Sequence, residues 1–263
     1  MFTRKIDRSW KFGIALCLAS APFAANADTL PFVPNFTVGS TALTGSQVTE
    51  NTDGSFRLTG TQQGGNFNGG AVWSFAWDLT VNQDPMIAGS LSLTNLTNTT
   101  RSFSVSLMLP VTPAFSPSLF GGSLSATLVD LNGDLSASLA PSSASASIYR
   151  GAIDGVTVLS LFAANLTCTG SSAGCSASGS DDFGLPGPTL AGPGVTNSIA
   201  TLLNFTLSPG DRVTFNSNFT VEPPAAVPLP AALPLLVMSL GGLAAARRRK
   251  SRAANATESQ ALC

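Results

Sequence analysis

Residues 71–81 read Ala-Val-Trp-Ser-Phe-Ala-Trp-Asp-Leu-Thr-Val, an alternation that sets Trp73, Phe75 and Trp77 on one side and Ser74, Ala76 and Asp78 on the other. A period of two is the signature of a strand with one buried and one wet face. The same pattern recurs in residues 89–96, with Leu91 and Leu93 on one face, and in residues 101–109, with Phe103, Val105, Leu107 and Leu109 on one face. These two runs are expected to be adjacent strands. Residues 123–131, 144–150, 156–164, 199–207 and 212–221 continue the series, separated by Asn-Gly, Asp-Gly and Pro-Gly turns. Leu207-Ser-Pro-Gly-Asp-Arg212 reads as a tight reversal, after which Val213, Phe215 and Phe219 face the core. Eight or more short strands and no helical period in the body predict an all-β fold, an antiparallel β-sandwich of jelly-roll-like type. Residues 60–70 and 184–194, rich in Gly and in Pro/Gly, are expected to be long loops. No repeat of fixed length is present, which argues against a solenoid.

The ends of the chain have a different character. Arg4, Lys5, Arg8 and Lys11 form a positive head, residues 12–21 an apolar stretch, and Ala25-Asn26-Ala27 a small-x-small site before Asp28. That order predicts a secretory signal peptide over residues 1–27, cleaved between Ala27 and Asp28 by signal peptidase after Sec-type export. The apolar stretch is too short to span a bilayer, which takes about 20 residues. At the other end, residues 225–246 carry no charge and Arg247, Arg248, Arg249 and Lys250 follow at once. As a helix this segment just covers the hydrocarbon core, and the basic cluster would stay cytoplasmic. Pro228, Pro230 and Pro234 lack an N–H and weaken its outer end, so the span suits a transient handle better than a lasting anchor.

Val227-Pro228-Leu229-Pro230-Ala231, the apolar segment and the arginine cluster together resemble the VPLPA variety of the PEP-CTERM sorting signal. The resemblance covers residues 225–250. It implies recognition by an exosortase, a membrane cysteine protease-transpeptidase of Gram-negative bacteria that also make exopolysaccharide. The expected organisation is a signal peptide (1–27), an exported domain (28–222), a sorting signal with a transmembrane helix (223–250) and a cytoplasmic tail (251–263), the last departing from the family's usual ending.

Nine of the thirteen basic residues lie in these end segments. Between them stand Arg57, Arg101, Arg150 and Arg212 against twelve acids, a net charge of −8 with no lysine. Nucleic acid is thereby excluded as a partner, since no basic footprint exists. Cys17 and Cys263 belong to the ends, which leaves Cys168 and Cys175 in a small-residue stretch. In an oxidising compartment a local disulfide is expected in preference to two free thiols.

The chain contains no histidine, so Ser-His-Asp catalysis is impossible, and the missing lysine removes Schiff-base and Ser-Lys chemistry from the body. A carboxylate pair remains conceivable, but Asp181 and Asp182 read as solvated loop acids. Asp130-Leu-Asn-Gly-Asp134 alternates oxygen ligands, yet Leu135 and Pro141 stand where a calcium loop needs Gly and Glu, and a hairpin turn is the expected structure. No catalytic residue, metal site or cofactor is expected. Asn35, Asn95, Asn98, Asn165, Asn204 and Asn218 head Asn-x-Thr triplets, which arise cheaply in so polar a chain. Trp73 and Trp77 are expected in the core, the alternative being sugar stacking.

The expected function is that of a non-enzymatic cell-surface or extracellular-matrix protein, structural or adhesive, with exopolysaccharide as its partner. It would pass through the inner membrane and end at the surface. A lectin-like module is the alternative and would expose Trp73, Trp77 or Tyr149; a carboxylate hydrolase would bring two acids face to face.

Overall fold

A computed structural model describes residues 34–66, 69–143, 146–170, 174–225 and 238. The signal-peptide site at Ala25, Ala27 and Asp28, the motif from Val227 to Ala231 and the basic cluster Arg247 to Lys250 lie outside the described residues, as does nearly all of the expected membrane segment. Among the described residues, no helix is long and apolar enough to cross a membrane.

Among the described residues, sixteen strands follow in order: β1 (Asn35–Val38), β2 (Thr41–Ala42), β3 (Gln47–Glu50), β4 (Phe56–Gly64), β5 (Trp73–Asn82), β6 (Met86–Asn95), β7 (Arg101–Pro110) and β8 (Ser118–Val129). The second half supplies β9 (Ser136–Pro141), β10 (Tyr149–Ile153), β11 (Val156–Leu161), β12 (Leu166–Thr169), β13 (Ser176–Phe183), β14 (Leu190–Gly192), β15 (Ser198–Leu207) and β16 (Arg212–Glu222). They form two antiparallel sheets. The first runs β11-β10-β15-β7-β1-β2, with β9 beside β15 and β12 beside β9; the second runs β13-β8-β16-β6-β5-β4-β3, with β14 on β8.

Alternation along each strand decides what the sheets do with their inner faces. Phe75, Leu79, Leu93, Leu124, Phe215 and Phe219 of the second sheet are all at most 1% exposed, and they join Leu107, Leu109, Tyr149 and Phe205 of the first in one core cluster. Aromatic rings bridge the two layers. Phe36 of β1 meets Phe75 and Trp77 of β5 edge-on at 5.7 and 5.6 Å, while Phe205 of β15 meets Phe215 of β16 at 5.0 Å. Tyr149 crosses from β10, its hydroxyl donating to the Asn218 carbonyl at 3.2 Å.

Several expectations about connectivity are corrected. Residues 89–96 and 101–109 are not neighbours in one sheet, because β6 lies in the second sheet and β7 in the first. The turn between Leu207 and Arg212 likewise carries the chain from one sheet to the other. The Asp130–Asp134 turn is a corner and not a hairpin, since β8 and β9 belong to different sheets. Residues 60–64 belong to β4 and not to a loop. There Gly60 and Gly64 leave room for the indoles of Trp77 and Trp73, and a Cβ at either position would overlap those rings.

Cys168 and Cys175 are joined by a disulfide, with Cα atoms 5.8 Å apart. It ties β12 of the first sheet to the entry of β13 in the second, where the Cys175 carbonyl also accepts the Asp130 N–H at 3.0 Å. Replacing both cysteines by serine is expected to cost about 2 kcal/mol through the freed unfolded chain. Thermal melting with and without reductant reads this directly. An unmoved midpoint in both would refute it.

The β10–β11 turn is held by Asp154, which sits at a φ of 49°. Its carboxylate accepts the Thr196 hydroxyl at 2.7 Å and the N–H groups of Thr196, Asn197 and Ser198 at 2.8 to 2.9 Å. Burial pushes this acid up, but the hydroxyl and the three N–H donors outweigh it and bring the pKa down to about 2. An acid depressed on folding stabilises the protein above its unfolded value and ceases to do so as pH falls through the folded one. Between pH 4 and pH 2 the protein is therefore expected to lose stability on the order of 1 kcal/mol from this group, solvent screening included. Asp154→Ala should flatten that part of a urea-midpoint profile; an unchanged slope would count against the assignment.

Candidate functional site

With the inner faces spent on the core, the outer face of the second sheet carries polar groups aligned in rows. Register places Gln47, Thr59, Asp78, Ser90, Asn216, Ser125 and Ser180 opposite one another across β3, β4, β5, β6, β16, β8 and β13. This row crosses six strand spacings, roughly 29 Å at about 4.8 Å each. A second row runs beside it through Thr61, Ala76, Ser92, Thr214, Thr127 and Ser178. On the other flank lie Arg57, Thr80, Ala88, Asn218, Ser123 and Asp182.

Small side chains leave the face hollow. One open trough of about 520 Å³ extends over Thr59, Thr61, Ala76 and Ser92, walled by Gly45 and Gln47. Another of about 530 Å³ extends over Ser123, Ser125, Asn216 and Asp182. Both include Asp78 and Ser90, so they meet at the middle of the sheet.

Electrostatically the centre of the face is balanced. Arg57 donates through Nε and Nη2 to the two oxygens of Asp78 at 2.7 and 2.6 Å. That hydrogen-bonded guanidinium holds the Asp78 carboxyl below the usual carboxylate range and raises the arginine in turn. Among the described residues, the other side-chain hydrogen bonds on these three rows are Ser92 with Thr214 and Thr220 to Asn218. Thr59, Ser90, Ser125, Ser180 and Asn216 enter none, which leaves their hydroxyl and amide groups for an external partner.

No family model and no curated protein matches the chain.

The residues singled out in the sequence fall elsewhere. Trp73, Trp77 and Tyr149 are 4%, 3% and 0% exposed, and burial pushes the Tyr149 phenol far above its ordinary value. None of the three can stack on a sugar ring. Asp181 and Asp182 lie in strand β13 and not in a loop, a correction that also separates them, because neighbours in a strand leave on opposite faces. Asp181 turns to accept the Phe162 N–H at 2.8 Å, whereas Asp182 joins the outer rows beside Ser123. The two carboxylates do not face one another.

Asp130 spends both oxygens on its own corner, accepting Gly133 N–H at 2.8 Å and Leu135 N–H at 3.0 Å. Among the described residues, no three Cys, Asp or Glu side chains are grouped to hold a metal ion. Asn95 is fully buried and donates to the carbonyls of Thr99, Leu207 and Ser208, so it is closed to any modifying enzyme. Beside it Asp211 is buried, with its Oδ2 against the Ser208 hydroxyl. Burial pushes this carboxyl up, and Asp130 and Asp134 add repulsion against the hydrogen bonds that favour its ionised form. The Ser208 oxygen also accepts the Ser138 N–H at 2.7 Å and lies 3.1 Å from the Ser138 carbonyl, so this cluster is a structural knot.

Beyond the Asn-x-Thr triplets, the sequence marks none of these Ser, Thr and Asn side chains as a site. Their alternation with core residues was visible; their alignment into rows depends on strand register and sheet order.

Proposed function

We propose that the chain is an exported surface or matrix protein, non-enzymatic, whose β-sandwich works structurally or adhesively and is delivered by its C-terminal signal. One geometric observation carries this reading: both ends of the described chain leave the sandwich at the same end. Asn35 opens β1 opposite Met108, near the close of β7, and Glu222 closes β16 opposite Leu119, at the start of β8. The turn from β15 to β16 lies at the opposite end. A segment beginning at residue 223 would hold the sandwich upright with both sheet faces free. The disulfide supports an oxidising compartment.

Sorting through the Val227 to Ala231 motif, with an exosortase-like protease acting after Sec-type export, rests on the resemblance of residues 225–250. The jelly-roll-like reading rests on strand order. Taken in chain order, β6, β7, β8, β10, β11, β13, β15 and β16 lie as β6-β16-β8-β13 in one sheet and β7-β15-β10-β11 in the other. Successive members cross between the sheets everywhere except at the β10–β11 hairpin, which is how two rolled Greek keys are wound.

Mass spectrometry of the native protein from cells with and without the exosortase tests the delivery. The expected mature chain starts at Asp28 and ends between Pro228 and Ala231 only when the enzyme is present. An intact C-terminus in both strains overturns the processing. A carbohydrate-binding module is the second reading, favoured by the polar outer rows and not by the buried aromatic residues.

A further inference from the structure

We propose that the outer face of the second sheet binds an extended, electrically neutral polysaccharide laid across the strands, along the row from Thr59 through Ser90 and Asn216 to Ser180. This deepens the adhesive reading above and rests on it.

The joined troughs give the surface a direction. They meet at Asp78 and Ser90 and continue to both sides of the sheet, so a linear ligand can lie in both at once. Along the row a hydroxyl or amide recurs about every 4.8 Å, on each strand except β5, where the Asp78 carboxylate stands. That interval is close to the length of one pyranose in an extended glycan, so successive sugars meet equivalent donors and acceptors. Thr59, Ser90, Ser125, Ser180 and Asn216 take no partner among the described residues, and each can both donate and accept, as a sugar hydroxyl also can.

Charge selects the class of polymer. Arg57 is committed to Asp78 in a two-pronged pair, and the acids outnumber the arginines twelve to four in the body. Along these three rows an anionic glycan or a nucleic acid would meet Asp182 and, among the described residues, no cation except the paired Arg57, because Arg212 lies outside them at the start of β16. A protein partner would need anchoring pockets for large side chains, whereas these troughs are open and lined mainly by Ser, Thr, Asn, Asp and Gly, with Trp77, 3% exposed, as their one aromatic residue. With no aromatic platform in the rows, affinity comes from hydrogen bonds alone. Each neutral bond is worth about a fivefold change in affinity, so one domain binds weakly and many copies at a surface bind through avidity.

Native affinity electrophoresis of the full chain in mild detergent, through gels containing a soluble neutral β-glucan, a neutral galactomannan or anionic alginate, tests the proposal. Retardation is expected in at least one neutral gel and not in alginate. Asn216→Ala and Ser90→Ala should each weaken it about fivefold, while Ser106→Ala, on the outer face of the first sheet, leaves it unchanged. Retardation by alginate alone, by no glycan, or equally in Asn216→Ala overturns the assignment. Surface delivery of the unaltered protein, read by cell fractionation, separates the two levels. If the protein reaches the surface without retarding in any gel, only this face loses its role; if the unaltered protein fails to reach the surface, the adhesive reading itself falls.

Discussion

Gly89→Ala is expected to lose about 3–5 kcal/mol, enough to leave much of the protein unfolded. Gly89 stands within β6 at a φ of 140°, a backbone region that an L side chain rarely adopts. A Cβ there would run into the Asp78 carbonyl oxygen and lie 2.8 Å from the Leu79 Cα. Both obstacles are backbone of the neighbouring strand, so no rotamer change relieves them. Conformational strain of about 1–3 kcal/mol and an overlap cost of similar size act together. Gly133→Ala is the control, because Gly133 also has a positive φ, of 76°, yet nothing lies within 4 Å of its added Cβ. It should lose only about 1 kcal/mol. Equal urea midpoints for the two variants would show that the overlap at β6 is absorbed and would sink the prediction.

The position of Gly89 also shows where sequence reasoning stops. Period-two runs correctly put Trp73, Phe75, Leu91, Phe103, Val213 and Phe215 into the core, because one-sided burial leaves a mark in the residues themselves. Pairing leaves no such mark. A connection such as residues 96–100 is long enough either to turn back in the same sheet or to step about 10 Å to the facing one, and the expectation of adjacent strands chose wrongly. Strand β13 was read as a loop because Ser176 to Phe183 buries little on either face; an edge strand with nothing to cover has no apolar period. Strand β1 is only four residues long and too short to show one. Gly60 and Gly64 gave a turn signal by composition, and the bulk of two indoles across the strand pair overrode it.

The polar face was hidden for a related reason. Thr59, Ser90, Ser125, Asn216 and Ser180 are scattered across more than a hundred residues and become a row only once sheet order and register are known. Nothing at any one of them distinguishes a binding residue from an ordinary solvated one. The buried carboxyl of Asp211 was equally invisible, since its environment is assembled from three separate corners.

Adjacent residues of β16 provide the second large effect. Phe215 is 1% exposed and sits against Phe205 of the facing sheet, itself in contact with Phe103. Phe215→Ala removes a ring from the middle of the sandwich, and about 3–5 kcal/mol is expected to go with it as lost transfer energy and an unfilled cavity. Pairing it with Phe205→Ala in a double-mutant cycle should recover about 0.5–1.5 kcal/mol of coupling for the edge-on ring contact. The next residue, Asn216, points the other way, and Asn216→Ala is expected to shift stability by less than about 0.5 kcal/mol. If Phe215→Ala melts within about 1 kcal/mol of the unaltered protein, or Asn216→Ala costs as much as its neighbour, the assignment of inner and outer faces is wrong. The division matters beyond stability: strand pleating assigns odd positions of β16 to holding the two sheets together and even positions to the outside, so variants of the outer rows can be tested for binding in a protein that is still folded.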